Sequence, residues 1–324
     1  MYRTMHKTKK DKALDLFISV KNVLTATGLN ADDYIYIFIM GSFGEHAYVL
    51  GHLKNFRERR KVCLVIKESK KWLLEFFPES ADYSVVIPDE MSHLFEELFE
   101  ISYLRNGFPY VVWTDLVFNG RLNHDLIRQG RLTLAESYAF ALEMPLDSKV
   151  SPLRLKERTR AANYKEGIYT LLMPDATTVK KLGLDFWMDI YRNLESASLT
   201  PIFDNTLLQW PLPNVRATEL VKSELVYFVH NKCSSVIGIR SGMLDLLAGL
   251  VSCDPSKKLV SLMPIETDTY MNGNNMYTVK GVSKYAGIHA CWRSANISDI
   301  EIDLRDPLFC EETILALKKI LTPI

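Results

Sequence analysis

Two short stretches hold the residues best suited to chemistry. The first is "IRSG", which carries an apolar run into the helical pattern "SGMLDLLAGL". Ser241 and Gly242 would offer backbone amides at the positive end of that helix, and Gly242 allows close approach. Arg240 adds a forked, permanently charged donor. Together they suit an anion, although a Ser-Gly helix start also reads as a plain cap beside a surface arginine. The second stretch is "GSFGE" at 41–45, which follows "YIYIFIM" and opens another helix. Gly41, Ser42 and Gly44 form a turn on which a ligand can approach the backbone. Glu45 at the helix mouth is either a general base or a favourable first-turn acid, and His46 is the backup base.

Further charged residues fall in loops that follow apolar runs. "PDATTVKK" places Lys180 and Lys181 after a strand, where each could meet a phosphate as a point charge or simply be solvated. Asp175 in the same loop would orient it or act as a turn residue. "MPIETDTYMNGNNMY" carries Glu266, a candidate sugar or ribose contact, and Tyr270, a candidate stacking partner; a surface loop is the plainer reading. No D-x-D sequence occurs, so no paired-carboxylate metal site is expected, and no cofactor either.

These residues need rigid elements behind them, and the periodicity supplies candidates. A helix is expected over Lys9–Thr27, a strand over Tyr34–Met40, a helix over His46–Arg59 and a strand over 61–66. "KKWLLEFF" reads as a short helix and "YSVVI" at 83–87 as a strand. "DEMSHLFEELFEISYLR" reads as a helix capped by Asp89. "YVVWTDLVF" reads as a fourth strand, with helices to about Glu143. The polar, proline-bearing stretch from 144 to 167 then breaks the pattern. After it come strand "IYTLLMP", helix "GLDFWMDIYRNLESAS" and strand "LTPIFDN". A helical region at 214–232, strand "SSVIGIR", helix "SGMLDLLAGL" and strand "KLVSLMP" follow. Strands alternating with helices predict parallel α/β sheets. The expected organisation is two Rossmann-like domains, 1–150 and 151–324, facing across a cleft.

The chain has 324 residues, 48% of them hydrophobic and 24% charged, enough for two ordinary globular domains. Its 39 basic and 39 acidic residues balance, which gives no electrostatic footprint for nucleic acid. Five widely spaced cysteines contain no C-x-x-C pair, so reduced thiols in a cytoplasmic protein are expected. No apolar run reaches the length of a spanning helix. The basic start and "KNFRERRK" leave room for peripheral contact with an inner membrane.

Read in order, the strand ending at Pro174, the lysine loop, the aromatic helix with Trp187 and the "RSG" turn resemble the nucleotide-sugar half of GT-B glycosyltransferases. The family most similar is the ADP-heptose:lipopolysaccharide heptosyltransferases. That resemblance puts Lys180 or Lys181 on the family's phosphate-contacting lysine and Ser241–Gly242 on its Ser-Gly turn. It puts Asp245 at its histidine, with Leu247 and Ala248 near its Leu-Ala. Arg240 replaces the acidic or amide residue before the turn, and Glu45 replaces the aspartate base. "VIGIRSG" is also similar to fucosyltransferase donor sites. The resemblance implies an inverting, metal-independent transferase that carries a sugar from a nucleotide-sugar donor to a glycan or lipid-linked acceptor in polysaccharide, lipopolysaccharide or capsule synthesis. The N-terminal half would take the acceptor and the C-terminal half the donor. Two other readings stand beside it: a nucleotide-sugar epimerase of the same architecture, and a catalytically silent sugar-nucleotide-binding subunit.

Overall fold

The computed structural model describes residues 8–39, 41, 43–57, 61–95, 97–98, 127, 129, 131–142, 144–155, 169–176, 179–207, 210–212, 214–268 and 276–321. The expected strand at 110–118, together with Ser42 and Tyr270, lies outside the described residues. The chain divides into two compact units, Met1–His124 with Glu136–Arg154, and Asp125–Ala135 with Leu155–Ile324.

In the first unit helix α1 spans Lys9–Ala26, and a reciprocal capping box between Thr8 and Asp11 starts it. Strand β1 (Tyr34–Phe38), helix α2 (Phe43–Arg57), strand β2 (Lys61–Lys67) and strand β3 (Tyr83–Ile87) follow, and the parallel strands lie in the order β1-β2-β3. β2 is buried from Val62 to Ile66, the continuous apolar run of a strand covered on both faces. Helix α3 (Leu134–Ala141) brings Tyr138 into a stack with Tyr48 of α2, ring centroids 5.6 Å apart.

Three expectations for this unit change. α2 begins at Phe43 rather than His46, so Gly44 and Glu45 belong to its first turn. In the "KKWLLEFF" segment the helix is a 3-10 helix over Glu68–Glu75, in which only Leu73 is buried, and the two phenylalanines that follow it are buried as well. Asp89 is not a helix cap. Pro88 precedes the short 3-10 turn Asp89–His93, and the Asp89 carboxylate accepts the Ser69 amide at 2.9 Å. A carboxylate beside two candidate amide sets takes the one its backbone faces, and the pattern in sequence cannot tell them apart.

The second unit is a six-stranded parallel sheet. Its strands are β4 (Tyr169–Met173), β5 (Thr200–Asp204), β6 (Ala217–Thr218), β7 (Cys233–Ile239), β8 (Lys258–Ile265) and β9 (Ile297–Asp303), in the order β6-β5-β4-β7-β8-β9. Helix α4 (Leu184–Ser196) connects β4 to β5 and buries Phe186, Trp187, Ile190, Tyr191 and Leu194, one stripe at helical spacing. Helix α5 (Lys222–Lys232) precedes β7, and helix α6 (Gly242–Val251) follows it. α6 is buried at every position from Met243 to Val251, as its apolar sequence demands. Two short helices, α7 (Ser283–Ala286) and α8 (Ile288–Trp292), precede β9, and α9 (Phe309–Leu321) closes the described chain.

The expected helical region at 214–232 splits in two. Its first part pairs with β5 through Phe203–Ala217 and Asp204–Thr218, and only the second part is helical. Two residues on a sheet edge leave no readable alternation.

Candidate functional site

The strand order of the second unit reverses between β4 and β7. From β4 the chain moves outward through α4 to β5 and β6; from β7 it moves the other way, through α6 to β8 and β9. The connections after β4 and β7 therefore leave in opposite directions and open a crevice beyond the strands' carboxyl ends. Open parallel sheets bind ligands at such switch points. The sequence-predicted donor residues fall there. Asp175, Lys180 and Lys181 lie between β4 and α4, Arg240, Ser241 and Gly242 between β7 and α6, and Glu266 directly after β8.

Ser241 is the N-cap of α6 and accepts the Leu244 amide on its hydroxyl at 3.3 Å. Gly242 and Met243 then hold the first amides of the helix, which an α-helix leaves without an intrahelical acceptor. Gly238, at the end of β7, lies close to its neighbours: a Cβ there would meet Met173 Cβ at 3.0 Å. Glycine thus lets β7 and β4 run close together where the crevice starts.

Arg240 does not stand out into solvent. It is 4% exposed, and its Nη1 lies 2.9 Å from Oδ2 of Asp245, itself 2% exposed. Its Nε donates to the Ala286 carbonyl at 2.9 Å, and its Cζ sits 5.2 Å from the ring centre of Tyr277. Two residues expected to face the donor separately thus meet each other beneath the turn.

The lysines are paired as well. Lys181 Nζ lies 2.5 Å from Asp175 Oδ1, and Lys180 Nζ lies 3.1 Å from Glu266 Oε1. The second pair joins the segments after β4 and β8, the strands on either side of β7. Beside Asp175, at the end of β5, Asp204 receives the Thr206 hydroxyl at 2.6 Å and the Thr206 amide at 3.2 Å, both on Oδ1. Burial raises the Asp204 carboxyl above its ordinary range, with Asp175 adding to the effect, and burial lowers the Lys222 ammonium nearby.

Sequence reading missed the β9 carboxylates. Asp299 accepts the Ile288 and His289 amides at 3.0 and 2.9 Å, and Glu301 accepts the Gly281 and Ser283 amides, both at 2.9 Å. Alternate acids on one strand thus anchor α8 and α7 by their first amides. The signal was available in "SDIEID", whose acids recur every second residue.

In the first unit, Gly41 follows β1 with φ of 95°, a left-handed conformation that glycine adopts without penalty. Glu45 is half-buried in the first turn of α2, and Gly44 is buried. His46 is 0% exposed. His46 thus lies inside the first turn of α2, while Glu45 beside it keeps partial access to solvent. The Lys70 ammonium sits 3.3 Å over the Phe43 ring, and Phe43 lies 5.6 Å from Trp72.

No family model and no curated protein sequence matches this chain. Solved structures do. E. coli ADP-heptose LPS heptosyltransferase II superposes with a TM-score of 0.55 at 12% identity, over 88% of this chain and 99% of that one. The glycosyl transferase family 9 structure from Veillonella parvula DSM 2008 gives 0.54 at 12%, over 90% of each chain. E. coli heptosyltransferase WaaC with ADP gives 0.51 at 10%, over 88% of this chain and 97% of that one. At such identities the likeness is one of fold, and with its two parallel α/β sheets the chain has the fold of these GT-B-like glycosyltransferases.

Proposed function

We propose that this protein is a glycosyltransferase that takes a nucleotide sugar at the switch-point crevice of its second unit. The observation that carries the reading is the Lys180–Glu266 pair, which joins the segments after β4 and β8 on either side of β7, the strand that leads into the Ser241–Gly242 turn. A diphosphate leaving group needs its growing charge stabilised. The first amides of α6 and the two lysines supply positive potential for it without a metal. Glu266 suits a hydroxyl of the ribose or sugar. Glu45, in the first unit, is the base that would take the proton of an acceptor hydroxyl. The acceptor is a glycan or lipid-linked saccharide, the outcome is inversion, and the acceptor side falls to residues 1–150 and the donor side to 151–324. The site of action is the cytoplasm, with peripheral contact at the inner membrane; among the described residues no helix is long and apolar enough to cross a membrane.

The test is a thermal-shift screen of nucleoside diphosphates, followed by donor hydrolysis in the presence of EDTA. A ligand at 100 times its Kd raises stability by about 2.7 kcal/mol. One nucleotide series should stabilise the protein, and its sugar derivative should be hydrolysed slowly with EDTA present. Binding without turnover would favour the silent subunit, interconversion of the sugar would favour the epimerase, and no binding would refute the reading.

A further inference from the structure

A helix start is often steadied by an apolar contact between the residue before the N-cap and the fourth helical residue, which fixes the angle at which the chain enters. Here the N-cap is Ser241, so those positions are Arg240 and Asp245, and the contact between them is an ion pair. Both side chains are buried, at 5% and 2% exposure. A buried pair of this kind adds little stability over an apolar one, because desolvation offsets the attraction. Its value lies elsewhere: it demands one geometry. The Asp245 amide also donates to the Ser241 carbonyl at 3.0 Å, so the pair spans the same turn that this backbone bond closes.

The guanidinium reaches beyond the turn. Its Nε holds the Ala286 carbonyl at the end of α7, and its plane lies near the Tyr277 ring. Gly287 follows, and a Cβ there would meet Asp299 Oδ2 at 2.3 Å. That glycine lets the Asp299 carboxylate close on the first amides of α8. One buried cation therefore ties the Ser241–Gly242 turn to the α7–α8 segment.

We infer that Arg240 and Asp245 are positioning residues: an ionic staple that aims the Gly242 and Met243 amides at the donor diphosphate, rather than groups that contact it. With its charge matched by Asp245 and its Nε committed to Ala286, Arg240 holds the turn from beneath. This rests on the proposed nucleotide-sugar reading of the crevice. It sets the guanidinium apart from Lys180 and Lys181, whose side chains are more than half exposed and can change partners.

The test compares wild type, Arg240→Met, and Arg240→Met combined with Asp245→Val, using the nucleoside diphosphate chosen by the screen above. Met and Val restore an apolar staple of similar shape, so the double variant should fold. Arg240→Met alone leaves a buried carboxylate under the anion site and should weaken nucleotide binding at least tenfold. The double variant should recover to within about threefold of wild type, with an unchanged dependence of affinity on salt. Protection of the α7–α8 amides from hydrogen exchange should drop in the single variant and return in the double. Should the single variant not fold, the double against wild type still decides. A well-folded double variant that binds more than tenfold more weakly, with a reduced salt dependence, would make Arg240 a direct contact and overturn the inference. A folded single variant with wild-type affinity would overturn it too. If wild type itself binds no nucleoside diphosphate, the reading of the crevice fails first, and the inference falls with it.

Discussion

Lys180 and Glu266 come from loops on opposite sides of β7, and their side chains meet at 3.1 Å. Both are well exposed, at 58% and 39%, so the pair contributes little to folding. In the proposed site it has a different consequence: Lys180 must leave Glu266 to meet a phosphate. Glu266→Gln should therefore raise affinity for inorganic pyrophosphate by about 1.5–5-fold at low salt, the range of an exposed ion pair. The gain should vanish at high ionic strength. Titration calorimetry at two salt concentrations checks it, and an unchanged affinity at low salt would separate this pair from the site.

The α7–α8 corner should be intolerant of any side chain at Gly287. A Cβ there would lie 2.3 Å from both the Asp299 carboxylate and the Ser283 carbonyl. Gly287→Ala must displace the carboxylate from the Ile288 and His289 amides or shift backbone. Stability to urea should fall by roughly 1–3 kcal/mol, the cost of leaving buried polar groups unsatisfied. Gly28→Ala makes the contrasting control for steric contact, since a Cβ there meets nothing within 4 Å, although its φ of 80° carries strain of its own.

Asp204 gives a pH dependence whose sign is fixed. Its folded-state carboxyl titrates above the unfolded value because burial disfavours the charged form. The folded state therefore holds the proton more tightly, and this contribution to stability is present below the unfolded value and lost as pH rises through the folded one. Asp204→Asn keeps one oxygen for the Thr206 hydroxyl and amide, both of which bond Oδ1 in wild type. It removes the ionisation and with it the attraction to Lys222, whose ammonium is itself lowered by burial. The variant should gain on wild type as pH rises from the carboxylate range to neutrality. Urea midpoints at acid and neutral pH measure this; a variant that loses ground to wild type as pH rises would contradict it.

Glu45→Gln keeps size and hydrogen bonding but removes a basic carboxylate. Turnover should fall by about 10²–10⁴-fold, the usual share of general-base catalysis. The melting temperature should move little, since a first-turn acid contributes about 0.3–1 kcal/mol. Near-normal turnover would make Glu45 a helix-start residue only, and His46, buried next to it, would be the next residue to substitute.

Much of this molecule is legible in sequence because its strands are buried on both faces. β2, β4, β7 and β8 are buried along most of their length and read as mainly apolar runs, and α4 as a stripe of aromatic and aliphatic residues. β6 and β9 are not legible, for different reasons. β6 is two residues of edge pairing, and β9 carries Asp299, Glu301 and Asp303 where an apolar face would be expected. The candidate site is legible at the level of which loops matter, since Ser-Gly, Lys-Lys and Glu266 each follow a strand. Its internal pairing is not. Arg240 and Asp245 read as two independent donor contacts until the cap at Ser241 sets them as neighbours across one helical turn.

The central claim is that a nucleotide diphosphate sits on the first amides of α6, at the switch point between β4 and β7. Amide nitrogen NMR on the full chain, with the Gly242 and Met243 signals followed during titration with the nucleoside diphosphate selected by the screen, tests it most directly. The account predicts large shifts at both amides, saturating with the Kd measured by calorimetry, together with smaller shifts at Lys180 and Glu266. Nucleotide binding that leaves Gly242 and Met243 unmoved would contradict it.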